Sequence, residues 1–138
     1  MKVRGIDHVS INVKDIRASA DFYGRVLGFR QLQTVPCEGF RLVYFQVPGG
    51  GRLELFDYGG SNPKTDRGET EAGLRHLAFA VEDVDQAAKR LSAEGVKVTL
   101  APTDLPDLGC RVLLFLDPNG VTLEFCAPLA ASARSQRK

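Results

Sequence analysis

Two stretches of the chain are built alike: IDHVSINVKDI at residues 6–16 and LRHLAFAVEDV at residues 74–84. Each contains one of the two histidines of the sequence, His8 or His76, and the two histidines lie 68 positions apart. Self-similarity at a fixed spacing is the sequence signature of a repeated structural unit. The chain of 138 residues is therefore predicted to contain two copies of one module.

Each copy opens with a strand that is followed at once by a helix. Large apolar residues occupy every second position over 9–13 and again over 77–81, which is the pattern of a half-buried strand. Asp15 and Asp83 then stand where the N-cap of a helix is expected. Three further extended segments complete each copy, near residues 30–35, 40–47 and 52–56 and near residues 97–101, 111–116 and 122–126.

These elements predict an α+β fold of two tandem βαβββ modules, which form a curved eight-stranded sheet assembly around a cleft. We expect module one at about residues 4–58, a polar linker at about 59–73, module two at about 74–127 and a tail at 128–138. Together they make a single domain, 1–138. A homodimer is also expected, because a curved half-sheet leaves edges and a concave face that need cover.

Composition and charge narrow the class of protein. Hydrophobic residues make up 43% of the chain, charged residues 25%, and the formal net charge is +1. This balance, with no basic stripe, argues against nucleic acid and membrane surfaces as partners. No apolar run approaches the roughly 20 residues that span a bilayer, and the start MKVRGIDHVS lacks the apolar core of a secretory signal. With three cysteines and no C-x-x-C spacing, a cytoplasmic protein is expected.

A second pair of matching stretches supplies an acidic residue to each module. GGGRLELFDY at 49–58 and DPNGVTLEFC at 117–126 place Glu54 and Glu124 at corresponding points. Because strand side chains alternate between faces, both histidines and both glutamates are predicted to point away from the helices, toward the concave side. Two imidazoles and two carboxylates form a mixed N/O set for a divalent transition metal, with positions left for water or substrate. For each residue taken alone, the alternative is a hydrogen-bonded or solvated role in its strand.

Over residues 4–127 the chain resembles the vicinal oxygen chelate superfamily. The resemblance is carried by DHVSINVKDIRASADFYGRVLGF (7–29), LELF (53–56), RHLAFAVEDV (75–84) and DPNGVTLEF (117–125). It implies paired βαβββ modules around a metal cleft, with a divalent ion (Ni, Zn, Co, Mn or Fe) that chelates neighbouring oxygens of a small-molecule substrate. It also implies a set of four metal ligands: His8, Glu54, His76 and Glu124.

A His/Glu/His/Glu set is similar to that of glyoxalase I, so the resemblance implies a metal-dependent lyase or isomerase that acts through an enediolate. Chelation would polarise the substrate carbonyl, and a carboxylate at the metal edge would remove and return the carbon-bound proton. Glu124 and Glu54 are the candidate bases, and the sequence does not choose between them. Asn12 stands where glyoxalase I usually has an arginine that grips glutathione, so the use of glutathione is left open.

Other activities of the superfamily form the alternatives. Extradiol-type dioxygenases use two histidines and one glutamate, and epimerases of the methylmalonyl-CoA type often have Gln at the place of Glu54. The alternative that is not an enzyme is a resistance protein that sequesters a small molecule. The members of the superfamily that bind bleomycin in this way have lost the metal ligands. Five more residues are candidates to line the cleft, and a solvated or structural role explains each of them equally well: Ser10, Asn12, Tyr44, Arg52 and Arg111.

Overall fold

Residues 1–60 and 70–129 are described by the structure, which is a computed structural model. The chain divides into two compact units, Met1–Asp66 and Arg67–Lys138. Each unit holds one four-stranded sheet, and the order of helix and strands is the same in both. The predicted α+β fold of tandem βαβββ modules is confirmed.

The first unit contains four strands: β1 (His8–Val13), β2 (Arg30–Cys37), β3 (Phe40–Gln46) and β4 (Arg52–Asp57). They lie in the order β1-β4-β3-β2. β1 is parallel to β4, and the other neighbours are antiparallel. The parallel pair sets the first and last strands of the unit side by side, so residues that are distant in sequence become neighbours.

The helix of the first unit, α1 (Ile16–Asp21), begins at the predicted N-cap. Asp15 accepts hydrogen bonds from two backbone N–H groups of the first turn, at 2.9 and 3.4 Å, which would otherwise have no partner within the helix. A π-helical turn, Phe22–Val26, follows directly, so the helix that is expected after Asp15 changes from α-helical to π-helical geometry. Gly28 ends the segment at φ +79°, where the absence of a Cβ removes the usual strain.

The core of the first unit lies between this helical segment and one face of the sheet. Tyr23 from the π-helical turn is fully buried, as are Phe45 of β3 and Leu53 and Leu55 of β4. Burial of apolar side chains such as these is the main favourable term in folding. Because Leu53 and Leu55 both face this core, the side chain of Glu54 between them points to the opposite face of the sheet.

The second unit repeats this arrangement with β5 (Leu77–Ala80), α2 (Val84–Ala93), β6 (Val98–Leu105), β7 (Cys110–Leu116) and β8 (Thr122–Pro128). The strand order is β5-β8-β7-β6, with β5 parallel to β8. Asp83 caps α2 by accepting a hydrogen bond from the backbone N–H of Gln86 at 2.9 Å. Within the described part of the chain, α1 and α2 both fall short of the length and hydropathy of a membrane span.

The strand ends differ in detail from the predicted ones. β5 begins at Leu77, where its pairing with β8 starts, so His76 immediately precedes the strand. β8 extends to Pro128, the first residue of the predicted tail. Linker residues 61–69 and tail residues 130–138 lie outside the described residues. The module boundaries and the single-domain assignment stay predictions.

Candidate functional site

In the first unit, His8 and Glu54 lie close together on neighbouring strands. The register of the parallel pair β1–β4 sets His8 opposite Arg52 and Ser10 opposite Glu54. Nε2 of His8 is 3.8 Å from Oε1 of Glu54. The structure therefore brings together the histidine and the glutamate that the sequence predicts as ligands from module one.

Glu54 is buried, with only 6% of the residue exposed. Each of its carboxylate oxygens accepts a hydrogen bond from a hydroxyl group. Ser10 Oγ donates to Oε1 at 2.6 Å. The Tyr44 hydroxyl donates to Oε2, because Tyr44 is the cross-strand neighbour of Glu54 in the β3–β4 pair. The sequence left Ser10 and Tyr44 as either cleft-lining or structural residues. In the structure both of them contact Glu54 directly.

The two hydrogen bonds also decide the charge state of Glu54. Burial disfavours the carboxylate, but the hydrogen bonds from Ser10 and Tyr44, with smaller electrostatic effects of His8 and Arg52, outweigh burial and lower the pKa of Glu54. The same contact with Glu54 raises the pKa of the Tyr44 hydroxyl. Tyr44 therefore stays a protonated donor, and Glu54 stays an anionic acceptor at neutral pH.

Asp7 orients the imidazole of His8. Its Oδ1 lies 2.8 Å from Nδ1 of His8 and accepts a hydrogen bond from Nη2 of Arg52 at 2.9 Å. An ionised carboxylate only accepts, so this contact places a proton on Nδ1 of His8 and favours the tautomer whose lone pair is on Nε2. The Arg52 guanidinium also lies over the Tyr44 ring, 4.9 Å from its centroid. Carboxylate partners of this kind fix the tautomer of metal-binding histidines.

The second unit brings together His76 and Glu124, with Nε2 of His76 3.2 Å from Oε2 of Glu124. The surroundings of this pair differ from those in the first unit. Ala78 is opposite Glu124 in the β5–β8 register, and Leu114 is opposite it across β7–β8. These are the positions of Ser10 and Tyr44 in the first unit, so neither equivalent position carries a hydroxyl.

Arg111, one of the weaker candidates, is engaged elsewhere. Its guanidinium donates to Asp85 at 2.8 Å and to Asp104 at 2.7 Å, so it links α2 to β6 and β7. This arrangement supports the structural role for Arg111. Asn12 lies opposite Phe56 in the β1–β4 register, two steps along the strand from Ser10 and on the same face.

Both pairs have the donor chemistry of metal ligands, and the separation in the second pair, His76 and Glu124, also matches that of two ligands on one ion. Two ligands bound at 2.0–2.2 Å to one ion are separated by roughly 3 Å at a right angle and about 3.4 Å at a tetrahedral angle. The observed separations are 3.8 Å for His8 and Glu54 and 3.2 Å for His76 and Glu124. Within either unit, the described residues include no group of three or more His, Cys, Asp or Glu placed to hold a metal. That the two pairs share one ion stays a prediction.

Comparison with known proteins places this geometry in a family. The Glyoxalase/Bleomycin resistance protein/Dioxygenase superfamily matches residues 5–125. YwkD of Bacillus subtilis is 34% identical over 126 residues, covering 90% of this chain and 97% of YwkD. The lactoylglutathione lyase of Pseudomonas aeruginosa is 31% identical over 143 residues, covering 86% of this chain and 79% of the lyase.

A solved structure agrees in fold. The crystal structure of SMU.1112c has a TM-score of 0.79 and 31% sequence identity, with coverage of 91% of this chain and 99% of that one. The family match spans both repeats and includes all four candidate ligand positions. The chain belongs to the Glyoxalase/Bleomycin resistance protein/Dioxygenase superfamily.

Proposed function

We propose that this protein is a metal-dependent lyase or isomerase of the glyoxalase type, which acts on a small molecule with two adjacent oxygens. The observation that carries the proposal is the recurrence of one His–Glu pair in each unit, at 3.8 Å and 3.2 Å. Each repeat contains one such pair, with Nε2 and a carboxylate oxygen close together. Two pairs of this kind have the chemistry of a four-residue metal site to which each unit contributes two ligands. The lactoylglutathione lyase among the relatives is consistent with this class of reaction.

In this proposal His8, Glu54, His76 and Glu124 hold a divalent metal such as Ni, Zn, Co, Mn or Fe. The bound ion would supply positive charge that stabilises the negative charge developing on the adjacent substrate oxygens. Asp7 keeps the Nε2 lone pair of His8 available through the hydrogen bond at Nδ1.

The proton carrier is one of the two glutamates, and the contacts favour Glu124. Glu54 is held at both oxygens by Ser10 and Tyr44. Glu124 has 17% of its side chain exposed, against 8% for Glu54, and apolar residues at the two equivalent positions. A general base that takes a proton from one carbon of the substrate and returns it to another must be able to reach both carbons. The less constrained carboxylate, Glu124, is better suited to that movement.

Elemental analysis and metal addition test the proposal. The purified protein is expected to contain metal, or to gain activity when Mn, Fe, Co, Ni or Zn is added, in a screen of 2-oxo and 2-hydroxy acids, thioesters and catechols. His8→Ala and His76→Ala should each lose metal, because an alanine supplies no ligand. Glu38→Gln and Glu82→Gln, which change exposed carboxylates, are the matched controls. A native protein that neither contains nor responds to any of these metals would contradict the proposal.

A second candidate function is the sequestering of a flat apolar compound without chemistry. Phe56 lies two residues after Glu54 on the same strand face, and its ring stacks on Phe40 and Tyr58 at centroid distances of 5.5 and 6.1 Å. Tyr58 is 37% exposed. Aromatic faces of this kind suit planar ligands. Binding that is unaffected by metal, together with no turnover in the screen, would favour this candidate.

The same proposal includes a cytoplasmic homodimer. All three cysteines are free thiols, which suits a reducing compartment. Each four-stranded sheet has two edge strands, and edges of this kind are commonly covered by another element or another chain.

A further inference from the structure

The two halves of the candidate ligand set are equivalent in sequence position but have different neighbours. In the first unit, Glu54 receives one hydroxyl hydrogen bond at each carboxylate oxygen, from Ser10 at 2.6 Å and from Tyr44. In the second unit, the residues opposite Glu124 in the same registers are Ala78 and Leu114, whose side chains have no polar atom. The second unit is therefore an internal reference for the first.

Ser10 and Tyr44 are placed to set the direction of the Glu54 side chain. Ser10 approaches from β1, on the same strand face as His8, and Tyr44 approaches from β3 on the other side of β4. A carboxylate gripped from both sides cannot rotate freely about its last bond, and Oε1 remains the oxygen nearest to Nε2 of His8. Ligands that are oriented before the ion arrives lose less conformational freedom when it binds.

We propose that Ser10 and Tyr44 are positioning residues that hold the Glu54 carboxylate beside His8, so that the first unit offers a preassembled half of the metal site. Asp7 contributes to the same half by fixing the tautomer of His8. The inference rests on the proposed function, because it concerns the metal that the four ligands would hold. It goes beyond that function by assigning roles to two residues that are not ligands.

The test is Co²⁺ binding to the metal-free full-length chain, measured by titration calorimetry. Ser10→Ala and Tyr44→Phe should each lower the Co²⁺ affinity by about 10- to 100-fold, the usual effect of losing a group that orients a ligand. Ser92→Ala and Thr99→Val remove a hydroxyl at exposed positions of the second unit and should bind Co²⁺ like the native protein. Ser10→Thr keeps the hydroxyl and should restore most of the affinity.

The visible absorption spectrum of bound Co²⁺ gives a second readout that a general loss of stability would not move. At saturating Co²⁺, Ser10→Ala and Tyr44→Phe should shift the bands of the ion, because the Glu54 oxygen no longer approaches from a fixed direction. Circular dichroism verifies that each variant is folded. Should Tyr44→Phe fail to fold, Ser10→Ala with its threonine rescue decides the question.

The outcomes separate the two proposals. If His8→Ala weakens Co²⁺ binding while Ser10→Ala and Tyr44→Phe bind with native affinity and a native spectrum, the positioning proposal is wrong and the proposed function stands. If the native chain does not bind Co²⁺ or any of the other four metals, both proposals fall. Weakened binding in both hydroxyl variants, with unchanged controls and threonine rescue, supports the positioning role.

Discussion

Replacing Glu124 by Gln should separate proton transfer from metal binding. A glutamine side chain keeps the size of glutamate and one oxygen for the ion, but it cannot accept a proton at neutral pH. Glu124 has no hydroxyl donor at Ala78 or Leu114, so the contact that the substitution alters is the one with Nε2 of His76 at 3.2 Å. We expect the turnover to fall by roughly 10²–10⁴, the usual contribution of a general base, which corresponds to about 3–5 kcal/mol in activation free energy. Metal content should change little.

Glu54→Gln should show the opposite balance. The amide presents an NH₂ group to one of the two hydroxyl donors, Ser10 or Tyr44, so one charge-assisted hydrogen bond is lost. Losing one orienting contact of a metal ligand, together with the negative charge of the ligand itself, should lower the metal affinity roughly 10- to 100-fold. At saturating metal, turnover should recover to a much larger fraction of the native value than it does in Glu124→Gln.

The assay uses initial rates on a substrate from the screen, at saturating metal, and solvent deuterium incorporation followed by mass spectrometry. Native protein should place deuterium at the carbon that loses its proton, and Glu124→Gln should slow this exchange in parallel with turnover. Glu82→Gln is the control for an exposed carboxylate in the second unit. Native turnover in Glu124→Gln, or a larger loss in Glu54→Gln at full metal loading, would refute the assignment of the base. The absence of exchange with every substrate that is turned over would instead favour an oxygen-consuming ring cleavage.

Three further predictions concern stability and assembly. Asp57 is buried and accepts hydrogen bonds from Arg41 at 2.7 Å and from the backbone N–H of Gly59 at 3.0 Å. Burial opposes the charged form of Asp57, but these two contacts outweigh burial and lower the pKa of its carboxyl group. Its stabilising contribution is therefore complete above about pH 4, the unfolded pKa, and is lost as the pH falls through the lower folded pKa. Asp57→Asn should lower the free energy of unfolding by about 1.5–3 kcal/mol at pH 7 and make its decline toward pH 3 less steep, as measured by urea denaturation; an unchanged acid dependence would contradict this. Asp83→Ala should cost about 0.5–2 kcal/mol by removing the N-cap of α2, whereas Asp83→Asn, which keeps an acceptor, should cost less. Light scattering should give about twice the chain mass of 15.1 kDa, and a species of one chain mass at high concentration would rule out the dimer.

Much of the fold was readable from local pattern. The alternation around His8 and the matching alternation after His76 predicted two strands, and Asp15 and Asp83 marked the helix starts that the structure confirms. Patterns of this kind are visible because burial on one face imposes a period on the sequence itself. The π-helical turn Phe22–Val26 was not predicted, since its apolar residues fit a continuous α-helix equally well.

The sequence by itself also determined which four residues are candidate ligands, because a repeat carries its residues to equivalent positions. It predicted two equal His–Glu pairs, and only the tertiary structure showed that their neighbours differ. Tyr44 meets Glu54 through the register of the β3–β4 hairpin, and Ser10 meets it through a parallel pairing with a strand 44 residues away. Register and parallel pairing are non-local, and a shift of one residue would turn each side chain to the other face. Which polar groups touch Glu54, and which do not touch Glu124, was therefore decided by strand pairing in the folded chain.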